Sequence, residues 1–205
     1  MYCSKCGCDF VGWKGKCPID NSLLSEKPIS INNSTAKSIQ YQSLVDLIKK
    51  NNGELIIDLQ TTEVGKGRKF VFPGRGNGFA WAKRIEGQFD NIPVELQTTE
   101  VGTDSDWSFP YQGYGFAWEK QMTGFVGGNK IVLDSTKVER KKQFLFPYRG
   151  HGYAWSEELT GNCGSSIIAK MVTTDISRER NWFLFYFAFG YAWINKASLH
   201  LSLTS

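Results

Sequence analysis

The sequence predicts a mainly β protein. A cysteine-bearing N-terminal segment and one linker helix precede four β repeats, which close into a barrel-like or sandwich body. Three observations carry this. The phrases FPGRGNGFAW, FPYQGYGFAW, FPYRGHGYAW and FYFAFGYAW end at Trp81, Trp118, Trp155 and Trp193, spaced 37, 37 and 38 residues apart, the mark of a repeat architecture. The heptapeptide LQTTEVG occurs twice verbatim, at 59–65 and 96–102. Period-two alternation opens the repeats: in the second, Ile92, Val94, Leu96 and Thr98 alternate with Glu95, Gln97 and Thr99, the pattern of an antiparallel strand with one wet face.

Residues 1–22 carry Cys3, Cys6 and Cys17, with Asp20 closing a Cys-Pro-Ile-Asp sequence. Two such pairs, each in a tight turn, would clamp a tetrahedral zinc ion from four corners, and carboxylate oxygen is an accepted fourth ligand. Cys8 is a rival for that place. The stretch YCSKCGCDFVGWKGKCPIDNSLL resembles the small zinc-ribbon modules with a CPxDG-type second half. The resemblance implies a zinc ion held by three thiolates, with the terminal Asp or a nearby group replacing the fourth. Such a site is closed and structural, and metal binding supplies the folding energy that so short a segment lacks. Phe10 and Trp13 would cover the metal turn. An odd cysteine count and no secretory signal disfavour a disulfide framework and place the chain in the cytoplasm.

Residues 23–53 form a linker and a helix. Ser and Asn dominate 21–35, a composition that builds no element. Tyr41, Leu44, Val45 and Ile48 then recur at helical spacing, which predicts a helix over about 36–50 whose apolar stripe packs on the repeat body or on a second subunit. Asn51, Asn52 and Gly53 stop it.

The repeats span 54–90, 91–127, 128–164 and 165–205. Each offers two or three strands, so the body has eight to twelve. It must close or stack, because one repeat cannot bury its apolar face alone. A four-bladed propeller is the second choice, since about 37 residues are few for a four-stranded blade. The glycine-rich phrase reads as a hairpin turn or strong bulge, or alternatively as part of one long strand with a trough along its face. Gly87, Gly124 and Gly161 read as bends between repeats. The shorter phrase of the fourth repeat fits a shortened loop, and Phe187, Ala188 and Phe189 there suggest packing on the helix or an oligomer interface. The four tryptophans read as a repeated core wedge.

The chemistry points to binding. Arg75, Asn77, Gln112, Tyr114, Arg149 and His151 stand beside glycines and are the candidate ligand contacts, since Arg and aromatic groups can stack bases and meet phosphate. His151 and His200 are far apart, and Cys163 reads as a small buried thiol, so no catalytic constellation emerges. Gly74–Gly78 lacks the strand-turn-helix setting of a dinucleotide site. Net charge is +4, too weak by itself to mark a nucleic-acid partner, and no run is long enough for a membrane helix. The expected function is a non-enzymatic intracellular binding or adaptor protein with structural zinc, recognising nucleic acid or protein. A lectin-like carbohydrate binder and an oligomerising structural protein are the alternatives.

Overall fold

The computed structural model describes residues 44–71, 75–108, 112–145, 149–183 and 187–204, without the side chains of 70–77, 107–114, 144–151 and 182–188. The chain divides into two units, Met1–Ile39 and Gln40–Ser205. All described residues belong to the second. The zinc-ribbon expectation therefore lies outside them.

The body is one closed antiparallel barrel of eight consecutive strands, which settles the choice against sandwich and propeller. The strands are β1 (Glu54–Val71), β2 (Arg75–Phe89), β3 (Ile92–Ser108), β4 (Gln112–Val126), β5 (Asn129–Leu145), β6 (Arg149–Cys163), β7 (Ile167–Phe183) and β8 (Phe187–Leu203). They pair as four long hairpins, β1/β2, β3/β4, β5/β6 and β7/β8, joined at what we term the distal end. At the proximal end the connections are short. Gly127 and Gly128 both have positive φ, +53° and +81°, as a two-residue primed hairpin turn requires. Between β6 and β7 the connection is Gly164, Ser165 and Ser166, one residue longer. The 38-residue spacing before Trp193 arises there, and β8 is not shortened at its distal end.

Ladders within a hairpin run on through its distal half, whereas those between hairpins cover only the proximal half. β2 meets β3 from Arg84↔Gln97 to Phe89↔Ile92, and β8 closes on β1 from Glu54↔Ser202 to Gln60↔Lys196. In this half Leu55, Ile57 and Leu59 point inward while Glu54, Ile56, Asp58 and Gln60 face out. Leu96, Met122, Ile131, Leu133, Leu159, Met171, Leu199 and Leu201 fill the lumen with them, as an eight-stranded barrel permits. Gly87, Gly124 and Gly161 are strand residues, not the inter-hairpin bends expected of them. Each lies against backbone of the neighbouring strand where a Cβ would collide, for example with the Glu95 carbonyl at Gly124. Strong local coiling leaves room only for hydrogen.

The helix, α1 (44–50), seals the proximal mouth. Leu44 and Ile48 are buried in the lumen cluster, and Val45 packs against it. The apolar stripe thus packs on the barrel. Asn52 at φ +60° and Gly53 at φ +88° turn the chain into β1, and the Gly53 amide donates to the Ile48 carbonyl at 2.9 Å. Among the described residues no helix is long and apolar enough to cross a membrane.

Candidate recognition surface on the hairpin arms

Midway along every hairpin the register slips and recovers. The slip lies between Thr61 and Val64 in β1, Thr98 and Val101 in β3, Ser135 and Val138 in β5, and Thr173 and Ile176 in β7. Thr62, Thr99, Thr136 and Thr174 are the odd-strand residues left unpaired there. This gives the Thr-Thr-Glu-Val phrase a physical content. Its Glu reaches across the hairpin in two cases, Glu63 to Lys83 at 2.5 Å and Glu100 to Lys120 at 2.6 Å. Lys137 with Glu157, at 3.0 Å, reverses the charges.

Just beyond the last ladder bond between hairpins, strand edges would carry unmet backbone groups inside the protein. The first Thr of the phrase meets them. Thr98 Oγ1 donates to the Ala82 carbonyl of β2, Thr173 Oγ1 to the Ser156 carbonyl of β6, and Thr61 Oγ1 to the Ile194 carbonyl of β8. Ser135 instead donates to Ser156 Oγ, which itself donates to the Glu119 carbonyl at 2.6 Å. The residues after the four tryptophans are Ala82, Glu119, Ser156 and Ile194. Glu119 is fully buried. Its Oε1 accepts the Ala82 amide at 2.6 Å and its Oε2 the Ser156 amide at 3.2 Å. Burial raises its pKa, against the lowering effect of these hydrogen bonds. One carboxyl thus ties β4 to β2 and β6.

Distal to this girdle the hairpins continue as four arms. Among the described residues no ladder joins one arm to the next; side chains and close backbone contact do. Gly78 of β2 sits against the Gly190 carbonyl of β8, where a Cβ would stand 2.6 Å away. Gly152 of β6 is likewise pressed on Gly115 of β4. These glycines lie inside strands, with Gly76 opposite Phe70 and Gly78 opposite Arg68. The hairpin-turn reading of the glycine phrase is therefore corrected. Its trough is filled by neighbouring backbone. Phe189 is buried against Ala80 and Tyr191, at the opposite end from α1, which corrects the expected contact with the helix.

A cation latches most seams. The residues opposite the Ala of each Phe/Tyr-Ala-Trp phrase are Lys66, Thr103, Arg140 and Arg178. Arg140 of β5 lies 4.8 Å from the Trp118 ring centroid of β4, Arg178 of β7 lies 5.8 Å from that of Trp155 on β6, and Lys66 of β1 lies 5.1 Å from that of Trp193 on β8. Carboxylates reinforce the latches: Asp104 holds Arg140 at 2.6 Å, and Glu179 holds Lys66. The Lys66 ammonium pulls the Glu179 pKa below the usual carboxylate range. Trp155 belongs to the main core, and Trp118 and Trp193 pack on satellite clusters, in line with a core wedge. Trp81 belongs to no such cluster among the described residues.

The sequence candidates fall as follows. Arg75, Gln112 and Arg149 begin β2, β4 and β6, opposite Val71, Ser108 and Leu145, and Asn77, Tyr114 and His151 lie two residues further along the same strands. All six therefore share the distal end, though in strands and not on loop tips. Their side chains are outside the described residues, as are Cys3, Cys6, Cys8, Cys17 and Asp20. His200 lies near the proximal end, 2.8 Å from Glu54. Cys163 is buried in the lumen, and burial pushes its thiol up to about 11. Sequence reading missed Glu119 and the latching cations. A signal for the latter existed: positions 66, 103, 140 and 178 repeat with the same spacing as the tryptophans.

Charge is polarised along the barrel axis. The distal halves (64–82, 101–119, 138–156 and 176–194) hold ten Lys and Arg against five Asp and Glu, while the proximal remainder of 54–205 holds seven against eleven. Comparison with family models, with curated proteins and with solved structures finds no match for this chain.

Proposed function

We propose that this chain is a non-enzymatic intracellular binding protein that recognises nucleic acid with the distal end of its barrel. The charge polarity carries the reading: the basic distal half attracts a polyanion, and the acidic proximal half repels it. Arg75 and Arg149 stand at that end among aromatic residues, the combination that contacts phosphate and stacks bases. A lumen filled by Leu, Ile and Met and sealed by α1 supports recognition on the outside. Cys3, Cys6, Cys17 and Asp20 would hold one structural zinc ion per chain, checked by metal analysis of the purified protein.

The test is fluorescence anisotropy of a labelled single-stranded oligonucleotide across a salt series. Binding should weaken steeply with salt, and Arg75→Ala and Arg149→Ala should each lower the slope of log affinity against log salt by about one. No binding at low salt, or binding indifferent to both substitutions, would overturn the reading. Weight would then pass to a protein partner, or to a carbohydrate if a glycan array gives salt-insensitive hits.

A further inference from the structure

We infer that the seam between the β1/β2 and β3/β4 arms is a receptor for a guanidinium group, presented by an arginine side chain of a partner polypeptide and seated on Trp81. The argument is a comparison of two equivalent sites in one molecule. The Trp81 ring lies over Gly65, and the Trp118 ring over Gly102, so closely that a Cβ on either glycine would overlap the indole. Each indole therefore rests one face on its own hairpin. The other face of Trp118 is taken by Arg140 of the next arm, 4.8 Å from the centroid. At the equivalent position the arm next to Trp81 has Thr103, paired with Ala117 as Arg140 is paired with Ala154. Thr103 is too short and carries no charge. Among the described residues no cation lies over Trp81, which remains partly exposed.

The equivalent seam points to a cation over an anion. Asp104 and Asp106 alternate with Thr103 onto the other face of β3, where they hold Arg140 and Lys142, so the precedent for the Trp81 face is the Arg140 guanidinium on Trp118. An indole face favours a planar, weakly hydrated guanidinium, and the negative charge density of the ring face disfavours a phosphate or carboxylate ligand. This site is independent of the polyanion face proposed above and survives if that reading fails.

The experiment follows the indole Nε1–H resonances of the full chain while Nα-acetyl-arginine amide is added, with the citrulline counterpart as the neutral isostere. Trp81→Phe assigns the resonance. The expected result is a saturable shift at Trp81 with the arginine probe and a much smaller one with citrulline. Thr103→Arg, which supplies the internal cation, should abolish the shift. Arg140→Thr is the converse: it should open Trp118 and create a second responsive indole, so the proposal does not depend on one variant folding. A uniform response of all indoles, equal shifts with citrulline, or an unresponsive Trp118 in Arg140→Thr would overturn it.

Discussion

Glu119 and Ala82 are joined across two hairpins by a 2.6 Å bond from the Ala82 amide to a carboxyl oxygen that is wholly buried. The same carboxyl holds the Ser156 amide on the far side. Glu119→Ala leaves both amides unmet in the interior, at about 1–3 kcal/mol for each orphaned group. Urea unfolding should show a loss of roughly 3 kcal/mol, and Glu119→Gln, which keeps one acceptor, about half of that. A loss under about 0.5 kcal/mol for the Ala variant would mean that water serves those amides.

The same carboxyl sets a pH dependence. Its pKa is raised in the folded state, so the folded protein binds this proton more readily than the unfolded chain does. The resulting stability is fully present below the unfolded pKa and is lost as pH rises through the folded value. Glu179 has the opposite sign: its lowered pKa gives stability that is present above the unfolded pKa and lost as pH falls. Unfolding measured from acid to neutral pH should show the gap between wild type and Glu119→Gln narrowing with rising pH. The gap to Glu179→Gln should widen, and stay small because that pair is exposed.

Arg140 serves Trp118 and Asp104, with Phe116 beside them. A double-mutant cycle of Arg140→Met with Trp118→Leu should give a coupling of about 0.5–1 kcal/mol, and one with Asp104→Asn about 0.5 kcal/mol, since both sites face solvent. Additive effects in both cycles would show that the seam is held by burial alone.

Gly102 has no room for a methyl group beneath Trp118. Gly102→Ala should cost about 1–3 kcal/mol by overpacking, and Trp118→Leu in the same chain should recover part of it. Thermal denaturation of the single and double variants checks this; failure to recover would place the strain in the backbone.

Leu44 and Ile48 of α1 are almost fully buried. Ile48→Ala should destabilise the barrel by about 2–4 kcal/mol, as a cavity in the lumen would, and should do so in a single cooperative transition. A separate early melting of the helix, with the barrel unaffected, would contradict its role as part of the core.

Much of this fold was legible because its cause is periodic. Four tryptophans at near-constant spacing and alternation at Ile92–Thr98 gave strands that had to close on themselves, and Leu44 and Ile48 announced the packed face of the helix. The glycine phrase misled because a glycine suits both a turn and a close approach of backbones. Pro73, Pro110 and Pro147, which cannot donate to a ladder, stand just before it and were the better mark of where the strands end. Glu119 stayed hidden because its counterparts are Ala82, Ser156 and Ile194, and nothing in a row of small or apolar residues tells that one acid reaches two foreign amides. The six distal candidates were gathered at one end by topology alone, a consequence of a pure meander.

The slip at Thr62, Thr99, Thr136 and Thr174 divides each strand into a part that is knitted to both neighbours and a part that is knitted to one. Ladder bonds guard the shape of the first, while the second answers only to the side chains and glycines at its seams. An arm can be exchanged for another, residues 64–81 for 101–118 for instance, without cutting a single rung of the closing sheet and with Glu119 left in place. The molecule is in this sense a chassis with four heads, each leaning on its neighbours through side chains rather than rungs. Diversity introduced at one head would alter what is held there while the frame beneath it keeps its circumference.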